Sequence, residues 1–196
     1  MLIDYLPLLL TNMSAALIMV GLYYLYGVAS GNPKAFAAGF AMTGLVAMVG
    51  GLYMSLTWPL RTMGTSDVRW ANFAFGDPTA LLGVLLLGAA LAIAKGWSMA
   101  PVGIFAALAG AAAIVIGAAL YANHLSQKPE LAAAGFILAG LGGVLAPPIL
   151  LMPRLKIIRL IGAAAVLASA AIWLLTALMS YWMHLSPGFL SHLTLS

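Results

Sequence analysis

Cysteine is absent, and charge is scarce: eight basic and four acidic side chains make up 6% of the 196 residues, against roughly 25% in an ordinary soluble domain. Without thiols there are no disulfides, no thiolate zinc or iron–sulfur sites and no cysteine nucleophile. The lysines and arginines stand singly, so they form no basic patch and no nucleic-acid partner is expected. The chain has no phosphate-binding Gly-Lys loop, no strand-borne dinucleotide fingerprint and no His-Glu-x-x-His pair, so no enzyme activity is indicated. No charged residue lies near the middle of an apolar run. A mid-membrane charge usually marks an ion or proton path, so this pattern argues against a carboxylate-driven pump.

Apolar length is what the chain does have. Hydrophobic residues make up 64%, and the mean hydropathy is +1.11. A spanning helix needs about 20 apolar residues. Six runs qualify: Leu6–Ala29, Ala35–Thr57, Thr79–Ala94, Val102–Ala122, Leu131–Met152 and Ile157–His184. They lack the period-two alternation of barrel strands, so the expected fold is all-α: one integral membrane bundle of six transmembrane helices. The first run is too long and lacks a basic flank, so it reads as a span and not as a secretory signal.

Asn32-Pro33 and Asp77-Pro78 each place a capping side chain before a proline suited to a first helical turn. Asp4 sits where another cap belongs, and Glu130 falls in a first turn. Pro101 and Pro129 open the fourth and fifth runs, and Pro147-Pro148 should bend or end the fifth. The longest connection, Pro59–Pro78, reads as an interfacial loop, with Asp67 pairing to Arg61 or Arg69.

Six spans put both termini on one side. Lys34, Lys95, Arg154, Lys156 and Arg159 fall on the opposite side, against Arg61, Arg69 and Lys128 on the terminal side. The positive-inside rule then makes the terminal side extracytoplasmic. All acids and histidines (Asp4, Asp67, Asp77, Glu130, His124, His184 and His192) share that side. Tyr5, Trp58, Trp70, Tyr121, Tyr181 and Trp182 fit an outer aromatic belt, and Tyr26 and Trp97 an inner one. Tyr23 and Tyr24 are adjacent, so at most one faces a cavity.

Ala37-Ala38-Gly39-Phe40 recurs as Ala133-Ala134-Gly135-Phe136. At the same offset Pro33 matches Pro129, Gly44 matches Gly140 and Leu45 matches Leu141. Two three-span copies would be inverted in the membrane, a plan that transporters use with the site between halves. The stretch from Gly51 to Leu60 (Gly-Leu-Tyr-Met-Ser-Leu-Thr-Trp-Pro-Leu), followed by Asn72-Phe73-Ala74-Phe75-Gly76-Asp77-Pro78, resembles the domain of unknown function 981 family of small polytopic membrane proteins. That resemblance implies a multi-span membrane protein and carries no activity, ligand or catalytic residue.

Among candidate site residues, the histidines come first. Gly103, Gly110, Gly117 and His124 are spaced by seven, as are Ala163, Ala170, Ala177 and His184. A step of seven returns nearly to one helix face. If those faces met, His124 and His184 would ligate one haem b, with Arg61 or Arg69 on its propionates. Met179, Met183 and His184 form an alternative soft site for copper. Thr43 and Ser169 are the in-span polar groups nearest mid-membrane and candidates for a transport path, although such groups commonly bind helix to helix. His192, in the polar tail, reads as solvated.

Three functions follow as expectations. The least demanding is a non-catalytic subunit of a larger membrane complex, with lipid and other membrane subunits or a second copy as partners. The second is a small transporter or channel for a neutral solute. The third is a redox subunit holding haem b or copper through His124 and His184.

Overall fold

The computed structural model describes residues 6–29, 33–63, 66–152 and 154–186. Asp4, Tyr5, Asn32 and His192 lie outside the described residues. Helix α1 (Leu6–Leu22) runs on through a π turn at Tyr23–Gly27, and a short 3-10 turn at Pro33–Phe36 leads into α2 (Ala37–Thr57). A two-residue antiparallel hairpin follows, β1 (Thr62–Met63) on β2 (Ser66–Asp67), with Thr62 opposite Asp67. Then come α3 (Trp70–Lys95), α4 (Ala100–Ala122), α5 (Pro129–Val144), α6 (Ala146–Leu151) and α7 (Lys156–His184). Six of the resulting helical segments are long and apolar enough to cross a membrane, α5 and α6 together making one, Pro129–Leu151. The break between them falls at Leu145, immediately before Pro147-Pro148, as two prolines without N–H groups require.

The most extensive pairings are two sequential hairpins, α2 on α3 and α4 on α5, followed by α1 on α7. In lipid there is little hydrophobic force between helices, so close packing must hold them. Glycines provide it. A Cβ on Gly51 would run into the backbone of Ala80, and one on Gly83 into the backbone of Met48. In the second hairpin, a Cβ on Gly110 would stand 2.5 Å from the Gly140 carbonyl oxygen, and one on Gly140 equally close to that of Gly110. Both hairpins are therefore backbone-to-backbone seams. The first hairpin joins the α1–α7 pair through α1, and the second joins it through α5 on α7.

Two expectations change against this arrangement. A three-span repeat would match the α2–α3 pairing to one between α5 and α7. The second extensive seam is instead α4 on α5, so the pairing order is mirrored and not repeated. The recurring motif keeps its local role all the same: Phe40 and Phe136 are both buried, while Gly44 faces α3 and Gly140 faces α4. Secondly, the third span starts at Trp70 and passes through Pro78. Asp77 is thus no cap. It lies inside the span, where Ser55 Oγ donates a 2.5 Å hydrogen bond to its Oδ1 across the α2–α3 seam. The Asp-Pro pair imitates a helix start. A spanning segment must satisfy its backbone internally, however, and packed neighbours let a membrane helix tolerate a proline.

Seam positions should be intolerant in proportion to their crowding. Gly83→Val is expected to lower stability by about 1–3 kcal/mol through overpacking. Gly88→Ala, where an added Cβ meets nothing within 4 Å, should leave stability unchanged or slightly raised. Thermal unfolding in lipid nanodiscs checks both. Equal melting temperatures for Gly83→Val and wild type would contradict the seam.

Candidate functional site

Small residues close the seams and also leave space behind them. Between α1, α3, α4, α5 and α7 lies a cavity of about 80 Å³ with predominantly apolar walls. From α1, the stripe Met13, Leu17, Val20 and Tyr24 faces it, at the three- and four-residue steps of one helix side. Pro78, Leu82 and Leu85 of α3 line it, with Ala106, Ala109 and Ala113 of α4, Phe136, Ala139 and Gly142 of α5, and Val166 and Trp173 of α7. Most of these positions lie in the central part of their spans, Tyr24 being in the π turn that continues α1, and α2 contributes none of them. Pairing between α3 and α4 is much less extensive than within either hairpin. Leu82 and Leu85 of α3 and Ala109 of α4 are half-buried as well as cavity-lining.

Two polar side chains belong to the walls. Tyr24 Oη donates to the Gly142 carbonyl at 3.0 Å and so ties α1 to α5. Trp173 is only 2% exposed, and its Nε1–H has no hydrogen-bond partner among the described residues. Its ring stands edge-on to Phe136 (centroids 5.0 Å apart) and Phe75 (5.8 Å). It also lies flat enough against α5 that a Cβ on Gly135 would stand 2.5 Å from the indole. Among the described residues, no charged side chain lines the cavity. Its chemistry is therefore that of a container for neutral, apolar matter.

The expected site residues fall elsewhere. His124 follows α4 in a left-handed conformation (φ 49°), exposed, with its ring 6.4 Å from that of Tyr121. His184 ends α7, and its Nδ1–H donates to the Ser180 carbonyl at 2.7 Å. The glycine face of α4 is filled by α5, and the alanine face of α7 is buried in the core alongside α1. Because α5 packs against both helices while α4 and α7 are not an extensively packed pair, the two faces do not meet. Met179 and Met183 lie on the exposed side of α7. No group of three or more His, Asp or Glu side chains suited to a metal ion occurs among the described residues.

Thr43 Oγ1 donates to Gly39 of its own helix, while its carbonyl accepts from Asn12 at 3.0 Å. Ser169 Oγ donates to the Gly135 carbonyl at 2.7 Å, fastening α7 to α5. Neither lines the cavity. Of the tyrosine pair, Tyr24 faces the cavity, while Tyr23 packs edge-on against Phe36 and Phe40.

At the terminal end, Arg69 is engaged by Asp67 through an ion pair of 2.5 Å. Hydrogen bonds from Arg69 hold the Asp67 carboxyl below the usual carboxylate range, so the pair persists on acidification past the point where a free carboxylate protonates. Arg61, also at that end, is exposed. Asn72, fully buried, accepts from the Leu60 N–H at 3.0 Å and donates to the carbonyls of Leu60 (2.6 Å) and Arg69 (3.1 Å). One side chain thereby closes the connection onto the head of α3.

Fold and site define a class: a polytopic, six-span α-helical membrane protein with an uncharged midplane cavity. The chain belongs to the family described as protein of unknown function (DUF981), whose model matches residues 1–187. No curated protein and no solved structure matches the chain.

Sequence reasoning missed Trp173. The signal was there: a tryptophan amid an apolar span departs from the rule that places this residue at interfaces. Asn72 was hidden by the reading of its segment as loop. Asn72→Ala should orphan the Leu60 and Arg69 groups, cost about 2–4 kcal/mol and speed tryptic cleavage at Arg61. Unchanged cleavage kinetics would remove Asn72 from the account.

Proposed function

We propose that the protein holds a neutral, lipophilic molecule at the middle of the membrane and acts as a small transporter or carrier for it. The observation that carries this reading is the apolar cavity between α1, α3, α4, α5 and α7, beside the sparsely packed α3 and α4. Membrane ligand sites are commonly built between helices, and charge burial at such depth would need a paired partner. An uncharged solute is what these walls suit.

A second reading, subunit of a larger complex, draws on α2. It is the least buried span, with 22% of its most apolar stretch covered against 50% for the first span. Met42, Leu45, Val49, Leu52 and Leu56 face outward from it. Lipid, another membrane subunit or a second copy would cover that face equally well.

Native mass spectrometry of gently extracted protein separates the readings. A carrier is expected to fly with a small neutral adduct that falls at least tenfold in Ala109→Phe, which fills part of the cavity. Co-extraction of a different polypeptide would move the assignment to complex subunit. Adduct-free masses for both the wild type and Ala109→Phe would contradict the carrier.

We also place the terminal end outside the cell, because five basic residues against three lie at the other end. The chain is free of cysteine, so single cysteines report cleanly. Gln127→Cys should react with an impermeant maleimide on intact cells, and Ser98→Cys only after permeabilisation. The reverse pattern would invert the topology.

A further inference from the structure

We propose that the junction of α6 and α7 is a docking surface for an anionic phospholipid, whose headgroup phosphate is held by Arg154 and Lys156. This surface is independent of whatever the cavity holds. Scattered singly along the sequence, the cations gather at one end of the bundle. Lys34 stands in the 3-10 turn before α2, Lys95 ends α3, and Arg154, Lys156 and Arg159 flank the start of α7. Arg154 and Lys156 are both exposed there. Among the described residues no acid lies at this end: Asp67 and Asp77 belong toward the start of α3 and Glu130 to the start of α5, at the other end. Positive charge thus accumulates with no carboxylate nearby to offset it, and the resulting field favours an anion from outside the chain.

The surroundings of the two cations select the kind of anion. Leu151, Met152, Leu155, Ile157 and Leu160 are exposed around them. The link between the helices is a tight turn, in which the Leu155 N–H donates to the Met152 carbonyl at 3.0 Å and the Lys156 N–H to that of Arg154 at 2.9 Å. Since α6 ends at Leu151 and α7 starts at Lys156, both cations stand at the rim of the apolar layer. A free phosphate would meet the cations alone. A phospholipid meets both chemistries, with its phosphate on Arg154 and Lys156 and its acyl chains on the exposed leucines and isoleucine. Arginine offers phosphate a fork of N–H donors, and cations beside a spanning helix attract the anionic lipids of the cytoplasmic leaflet. In the orientation proposed above, this end faces that leaflet.

The test titrates phosphatidylglycerol and phosphatidylcholine into full-length protein in detergent and counts bound lipid by native mass spectrometry. Each cation near the surface should favour the anionic lipid about fivefold, so the pair gives a preference of roughly twenty-five-fold for phosphatidylglycerol. Arg154→Gln combined with Lys156→Gln should bring the two lipids to within about twofold of each other, by loss of that same contribution. Arg61→Gln combined with Lys128→Gln, at the other end, should leave the preference intact. Equal binding of both lipids by the wild type would overturn the docking surface, and so would a preference that survives in Arg154→Gln/Lys156→Gln. Glycerol phosphate, the headgroup without its chains, serves as competitor. If it displaces phosphatidylglycerol at equal concentration, the lipid is overturned in favour of a free phosphate. Should the Arg154→Gln/Lys156→Gln protein fail to fold, the wild type decides by salt. Its preference should shrink severalfold between about 0.05 and about 0.5 M ammonium acetate, because exposed charges are screened, and a preference indifferent to salt would contradict the assignment.

Discussion

Helices surrounded by lipid gain little by hiding apolar side chains from one another, since the surroundings are already apolar. Attraction must come from contact at short range, where dispersion is strong and a gap of half an ångström forfeits much of it. In this protein that contact is backbone on backbone. Gly51 and Gly83 bring α2 against α3, and Gly110 and Gly140 bring α4 against α5. Because both seams are closed by glycine, each hairpin is thin and has no bulky side chain at its crossing. The rest of the architecture is a response to two such hairpins set against the α1–α7 pair.

One response is the cavity. Residues small enough to make a seam cannot also fill the space on the far side of the helix, and Ala106, Ala113, Ala139 and Gly142 line that space. A second response is the use of polar groups as fasteners. Tyr24, Ser169, Asn12 and Ser55 each reach across to another helix, three to carbonyls and one to the Asp77 carboxyl. Such bonds are worth on the order of 1 kcal/mol in a membrane bundle, so they fix orientation more than they drive assembly. Trp173 is a buried indole whose N–H has no partner among the described residues. Its neighbours Phe75, Phe136 and Gly135 hold the ring in place and leave the donor unspent.

The spans were legible in the sequence because length and hydropathy are local properties. Pro129 at a helix start and the interruption beside Pro147-Pro148 were legible for the same reason. Asp77-Pro78 misled: its local pattern is that of a helix start, while the demand for backbone satisfaction in lipid is set by the surroundings. The seven-residue steps on α4 and α7 correctly marked contact faces. Periodicity names a face but not the neighbour that covers it, so α5 and α1, which fill those faces, could not be read from the spacing. The cavity was illegible because it depends on which helices fail to meet.

The most direct measurement is an experimental density map of the protein in a lipid nanodisc, read at the gap between α3 and α4. The expected result is an open space between α1, α3, α4, α5 and α7 that holds non-protein density against Leu17, Leu82 and Ala109. A map in which α3 packs along the length of α4 and leaves no such space would contradict it.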